Sequence, residues 1–264
     1  MRYSEEPKKN PEMLKKLFTT LLVSFLLCGG MAAQQIYNMS FDDWSKSAGA
    51  WNVYREDAPS SKRIWDTANH GLSILGINGT VPEYEHVAVP GKGKAAAKIV
   101  SRKVIWEFVA GNLYTGRFDH IVRFKGAELF FGIPFSHRPK SMSGYCHYIP
   151  GIVNCAKEPY LSMKGKKDFG RIEVILTDWD KPYRIVTCDE EFIDGRTDPH
   201  VIGRAVLNLT EDTGGYIKFD IKFDYRSDAV PSYVVITAAS SELGAYFTGS
   251  TKSVLYIDEF KFNY

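Results

Sequence analysis

The sequence predicts an all-β chain folded as a jelly-roll β-sandwich, on three observations. Short segments alternate apolar and polar residues with a period of two, which gives a strand one dry face and one wet face. Clusters of Gly, Pro, Asn and Asp separate these segments and supply the turns. After the N-terminal apolar run no segment keeps a helical period over several turns, so the layers that close the core must be sheets. With 264 residues, 44% of them hydrophobic and 14% aromatic, the chain can fill one large core.

In chain order, residues 1–33 read as a secretory signal peptide. Lys15 and Lys16 precede an apolar run from Leu17 to Leu27, and Gly29, Gly30, Ala32 and Ala33 follow it. The run is too short to span a bilayer, so no transmembrane span is expected. Met13 is a second candidate start. Acylation of Cys28 would make a lipoprotein, but Leu27 stands where a small residue is expected, which favours ordinary cleavage. The product would be secreted, periplasmic or displayed at the cell surface.

A single domain is expected over residues 34–264. Its strands are Ile36–Phe41, Ala96–Val100, His120–Phe124, Glu128–Phe135, Arg171–Thr177, Tyr183–Cys188, Val201–Leu209, Tyr216–Tyr225, Tyr233–Ala238 and Val254–Phe262. The segment Pro59–Gly79 reads as a loop held down by Trp65, and Val104–Ala110 as a short helix. Strict alternation in the last strand puts Asp258 on one face with Tyr256, Phe260 and Phe262, a costly place for a carboxylate unless a cation or N–H donors meet it.

Charge narrows the partners. The whole chain carries 33 basic and 31 acidic residues, and loss of residues 1–33 leaves 28 of each. Without a positive field, nucleic acid is not an expected partner. The mature chain retains Cys146, Cys155 and Cys188; an odd count argues against a disulfide framework, although Cys146 and Cys155 are near enough in sequence to bridge a loop. No GxSxG, HExxH, phosphate-binding loop or GxGxxG occurs. The histidines are scattered; His137 and His147 are the pair most able to meet, and no third metal ligand is evident. Asp178 with Asp180, Asp189 with its two following glutamates, and Glu83 with Glu85 are the carboxylate pairs available to a glycosidase, with turn formation the plainer role for the first.

Carbohydrate binding is the stronger signal. Trp65 offers a flat ring beside Asp66 and Asn69; sugars are held when aromatic faces cover C–H surfaces and polar groups meet hydroxyls. Arg138 joins the hydrogen-bonding set, and Tyr114 and Tyr145 wall the site. An oligo- or polysaccharide is therefore the expected partner, bound without catalysis. A paired-carboxylate glycoside hydrolase or lyase, and a surface adhesion module with protein partners, are the alternatives. Asp42, in Phe41-Asp42-Asp43-Trp44, and Asp258 lie in the first and last strands; brought together they would suit a structural calcium. Hydrogen bonds to Asp258 are the alternative, and no other cofactor is implied.

The ordered set FDDW (41–44), WDTANHG (65–71), GKAAAKIV (93–100), AGNLYTGRF (110–118), FGIPFSHRP (131–139), GYCHYIPG (144–151) and SSELGAYFTGSTKSVLYIDEF (240–260) resembles the putative carbohydrate metabolism domain of secreted gut-bacterial proteins. The resemblance spans nearly all of the mature chain and implies a β-jelly roll with a role near glycan use. Cys146 replaces an aromatic usual in that family, which leaves Tyr145 and Tyr148 as the rings of that motif. More distantly the chain resembles jelly-roll carbohydrate-binding modules, in which acids of the first and last strands share a structural calcium.

Overall fold

Alternating side chains need a partner surface on their dry side, and here two antiparallel sheets supply it to each other. A computed structural model describes residues 34–104, 106–122, 126–189 and 192–264. The smaller sheet runs Ile217–Lys222, Ser141–Ile149, Val254–Asn263, Ala96–Val100, Thr80–Glu83 in spatial order. In the larger sheet Tyr233–Ala239 lies between Gly170–Thr177 and Asn112–Val122. Val201–Leu209 continues it on one side, Gly126–Phe131 and Tyr183–Val186 on the other. Where the sheets face, Ile172, Val174, Leu176, Val234 and Ile236 pack against Leu255, Ile257, Phe260 and Phe262. Each such buried side chain contributes about 1.5–3 kcal/mol of transfer free energy. The architecture is the all-β sandwich that the alternation predicts.

The larger sheet is also covered on its outer side. Ile175, Trp179, Val201 and Val235 form one cluster there, and Tyr114, Leu129 and Ile185 another. This explains why Gly170–Thr177 is apolar at nearly every position after Glu173, as a strand buried on both faces should be.

Several local expectations are corrected. Val104–Ala110 is no helix: Arg102–Val104 and Glu107–Val109 pair as a hairpin. Ile36–Phe41 is a turn, with Asn38 and Phe41 at φ 56° and 55° and the Phe41 N–H donating to the Asn38 carbonyl at 3.1 Å. Two strands absent from the expected set carry Tyr145 and Tyr114: Ser141–Ile149, central to the smaller sheet, and the eleven-residue Asn112–Val122. Tyr216–Tyr225 changes sheets along its length: Ile217–Lys222 pairs with Ser141–Ile149, whereas Asp224–Tyr225 pairs with Val201–Leu209. Cys146 and Cys155 are free thiols, the first fully buried with its pKa pushed up to about 12 by burial. The signal peptide, Cys28 and Met13 lie outside the described residues.

The closing strand departs most instructively. Leu255 and Ile257 face the core, and so do Phe260 and Phe262, which are separated from them by an odd step. A bulge opposite Gly144 accommodates the extra residue, with Glu259 at φ 53° and the register slipping between Ser143 and Tyr145. Asp258 therefore does not share a face with Phe260 and Phe262; it lies on the outer side and accepts the Ala88 N–H at 2.8 Å.

One buried carboxylate fastens the far end of this strand to the larger sheet. Asp168, 2% exposed, accepts from Ser241 Oγ at 2.6 Å, Ser253 Oγ at 2.7 Å and the Ser250 N–H at 2.8 Å on one oxygen, and from the Phe169 N–H at 2.9 Å on the other. Ser101 Oγ extends the network, lying 2.9 Å from Ser240 Oγ and 3.0 Å from Ser241 Oγ. Alanine at Asp168 orphans three buried donors, each costing on the order of 1 kcal/mol or more. Asp168→Ala is expected to lower stability by about 3 kcal/mol in urea titrations, where a midpoint within error of the parent's would count against this role.

Candidate functional site

The outer face of the larger sheet holds a cleft of about 520 Å³, within the roughly 300–1,000 Å³ usual for small-molecule sites. Strand alternation supplies its floor. In Gly170–Thr177 the even-numbered residues enter the core, so Arg171, Glu173 and Ile175 point outward. Antiparallel pairing sets Thr237 beside Glu173, and both Arg204 and Val235 beside Ile175. One wall is the 3-10 turn Glu242–Tyr246, and the other is the loop around Phe192 to Arg196.

That loop approaches closely because residue 195 is glycine. A Cβ there would stand 2.9 Å from both Glu173 Oε1 and Ile175 Cδ1. Asp194 shapes the turn by accepting from Thr197 Oγ1 at 2.8 Å and the Arg196 N–H at 2.9 Å, while Arg226 donates to the Gly195 carbonyl at 2.8 Å. At the rim, Tyr246 contacts Tyr160 at 4.9 Å and Phe192 at 5.6 Å between ring centroids, both edge to face.

The charged floor is a chain of alternating sign. Arg204 Nε lies 2.5 Å from Glu173 Oε1; Arg171 Nη1 lies 3.9 Å from Glu173 Oε2 and pairs directly with Glu242. Burial raises the Glu242 carboxyl to about 7, with Arg171 opposing the rise and Glu173 adding to it. The close contact with Arg171 favours ionised Glu242, whereas burial favours the protonated form. Burial is the larger of the two influences, so the direction is upward. Such a floor presents guanidinium forks, carboxylate oxygens and the Thr237 hydroxyl side by side, an array suited to a polyhydroxylated ligand.

The site residues expected from sequence fall elsewhere. Trp65 is 2% exposed, packs edge-on against Phe41 and donates Nε1–H to the Tyr37 carbonyl at 2.7 Å, which leaves no face for a sugar. Asn69 is fully buried; its amide donates to the Trp51 and Thr80 carbonyls and accepts from the Gly79 and Thr80 N–H groups. Asp66 accepts from the N–H groups of Thr67 and Phe118, and burial raises its pKa. Tyr114 is 2% exposed against Phe131. These four are near neighbours, since Asp66 pairs in register with Tyr114, but they make a structural joint. Arg138 donates to the Ser227 and Ala229 carbonyls and covers the Tyr225 ring at 4.1 Å, so it pins a loop. Tyr145 lies on the smaller sheet, opposite Asp258.

The chemistry-bearing side chains nearest the sequence's own signals are Glu242, inside the segment that marks the resemblance, and the outward Arg171 and Glu173. Charged residues on one face of an otherwise apolar central strand were the available clue. Of the expected carboxylate pairs, Asp178 and Asp180 are both exposed, Asp178 paired with His200 at 2.8 Å. His147 meets His86, whereas His137 meets Gln34.

Asp42 and Asp258 do come within electrostatic reach, and burial together with Glu259 and Asp42 pushes the Asp258 carboxyl up to about 6. The surrounding groups do not fit calcium. Asp42 Oδ1 accepts the N–H groups of Lys94 and Ala95, Asp258 Oδ2 accepts that of Ala88, and the Lys92 ammonium lies 2.5 Å from Glu259. N–H donors and an ammonium thus already compensate one oxygen of each carboxylate, and the ammonium competes with a cation for this corner.

The family described as "Putative carbohydrate metabolism domain" matches residues 40–263. Among solved structures, a putative glycoside hydrolase from Bacteroides thetaiotaomicron superposes with a TM-score of 0.65 at 22% identity, over 88% of this chain and 71% of its own. A putative glycoside hydrolase from Bacteroides vulgatus gives 0.62 at 18% identity, over 88% and 99%. No curated protein matches the chain. At such identities the structural likeness speaks for the fold.

Two outcomes follow. A chelator such as EDTA is expected to leave the melting temperature unchanged, because N–H donors already satisfy Asp42 and Asp258; a drop would restore calcium. Glu242, with a folded-state pKa above its unfolded value of about 4.5, adds stability that is full below pH 4.5 and lost as pH rises through about 7. Urea midpoints measured from pH 5 to 8 should therefore fall less steeply in Glu242→Gln than in the parent, and equal slopes would remove the raised carboxyl.

Proposed function

The chain belongs to the putative carbohydrate metabolism domain family, and on that premise we propose that the cleft over its larger sheet binds an oligo- or polysaccharide without cleaving it. One observation supports this most: Tyr160, Phe192 and Tyr246 wall a floor whose Arg171, Glu173, Arg204 and Thr237 side chains are already fixed by pairing or by the sheet. Pre-positioned polar groups lose little entropy on meeting sugar hydroxyls, and the rings cover the apolar faces between them. The cleft takes over the role that the sequence assigned to Trp65 and its neighbours. A signal peptide at residues 1–33, as the sequence suggests, would carry this activity outside the cytoplasm, where glycans are met.

Hydrolysis is the second reading, favoured by the unlike environments of two carboxylates in one cleft, Glu242 raised to about 7 and Glu173 held by Arg204. Against it, Arg171 lies between the two and engages both.

A glycan array followed by calorimetry on the mature protein tests both. Tyr246→Ala and Arg171→Met should each weaken binding at least tenfold, about 1.4 kcal/mol, with no release of reducing ends. Parent-like affinity in both variants would exclude the cleft, and reducing ends that vanish in Glu242→Gln would establish hydrolysis.

A further inference from the structure

The outer face of the smaller sheet, away from the cleft, carries a second constellation. His147 lies on the strand Ser141–Ile149, opposite Tyr256 of the closing strand. Its ring stacks on Tyr256 at 5.4 Å and 18°. His86 follows the strand Thr80–Glu83; its ring stacks on Tyr216 at 4.9 Å and 30°, and the Tyr216 hydroxyl donates to the His86 carbonyl at 2.9 Å. Each imidazole is thus held by its own tyrosine. The two rings present His86 Nε2 and His147 Nδ1 to each other at 2.9 Å.

From this geometry we infer that His86 and His147 form a chelating pair for a late first-row divalent cation such as Zn²⁺, Ni²⁺ or Cu²⁺. Two imidazole nitrogens at about 2.0–2.1 Å from one metal, subtending a right or tetrahedral angle, stand roughly 2.9–3.4 Å apart. The observed separation lies at the near edge of that range, so chelation needs little change in distance but requires each ring to tilt by roughly 35–45°, turning its lone pair off the N···N line toward the shared metal. In the neutral pair one facing nitrogen carries a proton and the other accepts it. Metal binding moves that proton to the far nitrogen of its own ring, so both facing lone pairs become ligands and no net proton is released. Water completes the coordination, because His86 is exposed and His147 half-buried.

The charged surroundings favour a cation. The carboxylates of Asp212, Glu83 and Asp258 act on His147 or Tyr216; of the ammonium groups, Lys98 lies 5.3 Å over the Tyr256 ring and 3.4 Å from Glu83, and Lys92 is drawn to Glu259 and Asp258. Nitrogen ligands select the late transition metals over Mg²⁺ and Ca²⁺, with Cu²⁺ tightest in the usual order. A competing group exists on the hairpin between Asn112–Val122 and Gly126–Phe131, where ligand atoms of Asp119, His120 and Glu128 lie within 4.8 Å of one another. Arg117 pairs with Asp119, and Arg184 lies 2.5 Å from Glu128, so guanidinium groups already occupy those carboxylates.

The experiment uses untagged mature protein, titrated with Zn²⁺ by calorimetry and with Cu²⁺ by electron paramagnetic resonance. His86→Phe and His147→Phe keep a ring to stack on Tyr216 or Tyr256 and remove the nitrogen; His120→Asn controls for the hairpin. One Zn²⁺ per chain, at least tenfold weaker in either Phe variant and unchanged in His120→Asn, with two nitrogens coupled to Cu²⁺, is the expected result. No binding by the parent protein, or binding that survives both Phe substitutions, overturns the pair as a site. Circular dichroism melts of the Phe variants, matching the parent without metal, separate lost ligation from lost folding.

Discussion

The cleft depends on a carboxylate that never reaches it. Asp168 collects two serine hydroxyls and a backbone N–H from the segment that enters the closing strand, and a fourth donor from its own neighbour Phe169. A lone buried charge would be ruinous, and four donors on two oxygens offset its desolvation. Its partner Ser241 immediately precedes Glu242, whose backbone N–H donates to the Phe169 carbonyl at 2.9 Å. Asp168 itself stands two residues before the strand that carries Arg171 and Glu173. One anchor thus sets both the wall and the floor, and the Arg171–Glu242 contact follows from it.

The sheets were legible because most strands obey period two. Arg171–Thr177, Val201–Leu209 and Ala96–Val100 appear where alternation or a short apolar run placed them. Sequence failed where local composition and pairing disagree. Ser141–Ile149 is missing from the strands expected from sequence, yet it is central to its sheet, with Met142, Cys146 and Tyr148 buried while Ser143, Tyr145 and His147 face outward. Gly144 breaks the pattern because the Phe260 and Phe219 rings lie where its Cβ would be, 2.5 Å and 2.9 Å away. Alternation alone has no means of announcing the bulge opposite it, and one inserted residue reverses every later assignment on the closing strand.

The site was less legible for a related reason. A tryptophan beside an acid and an amide is the composition of a sugar site and also that of a buried joint whose polar atoms bond the backbone. Sequence holds the residue types but not which way they point. Trp65 and Asn69 point inward, where their hydrogen bonds are spent on backbone groups. The cleft residues come from three strands, a turn and a loop that lie far apart in the chain, and only pairing register assembles them.

The same sandwich offers two unlike outer faces, and their difference is physical. On the larger sheet, aromatic rings border a half-buried charged floor, which favours a ligand that brings many hydroxyls to fixed donors and acceptors. On the smaller sheet, tyrosines stack against imidazoles that stay open to solvent, which favours a small ligand that takes lone pairs. A glycan bound in the cleft has no need of the histidine pair, and a metal held by that pair has no contact with Glu242 or Arg171. Each site can therefore be lost without the other, whereas Asp168, beneath the turn that joins the cleft to the closing strand, has no such independence.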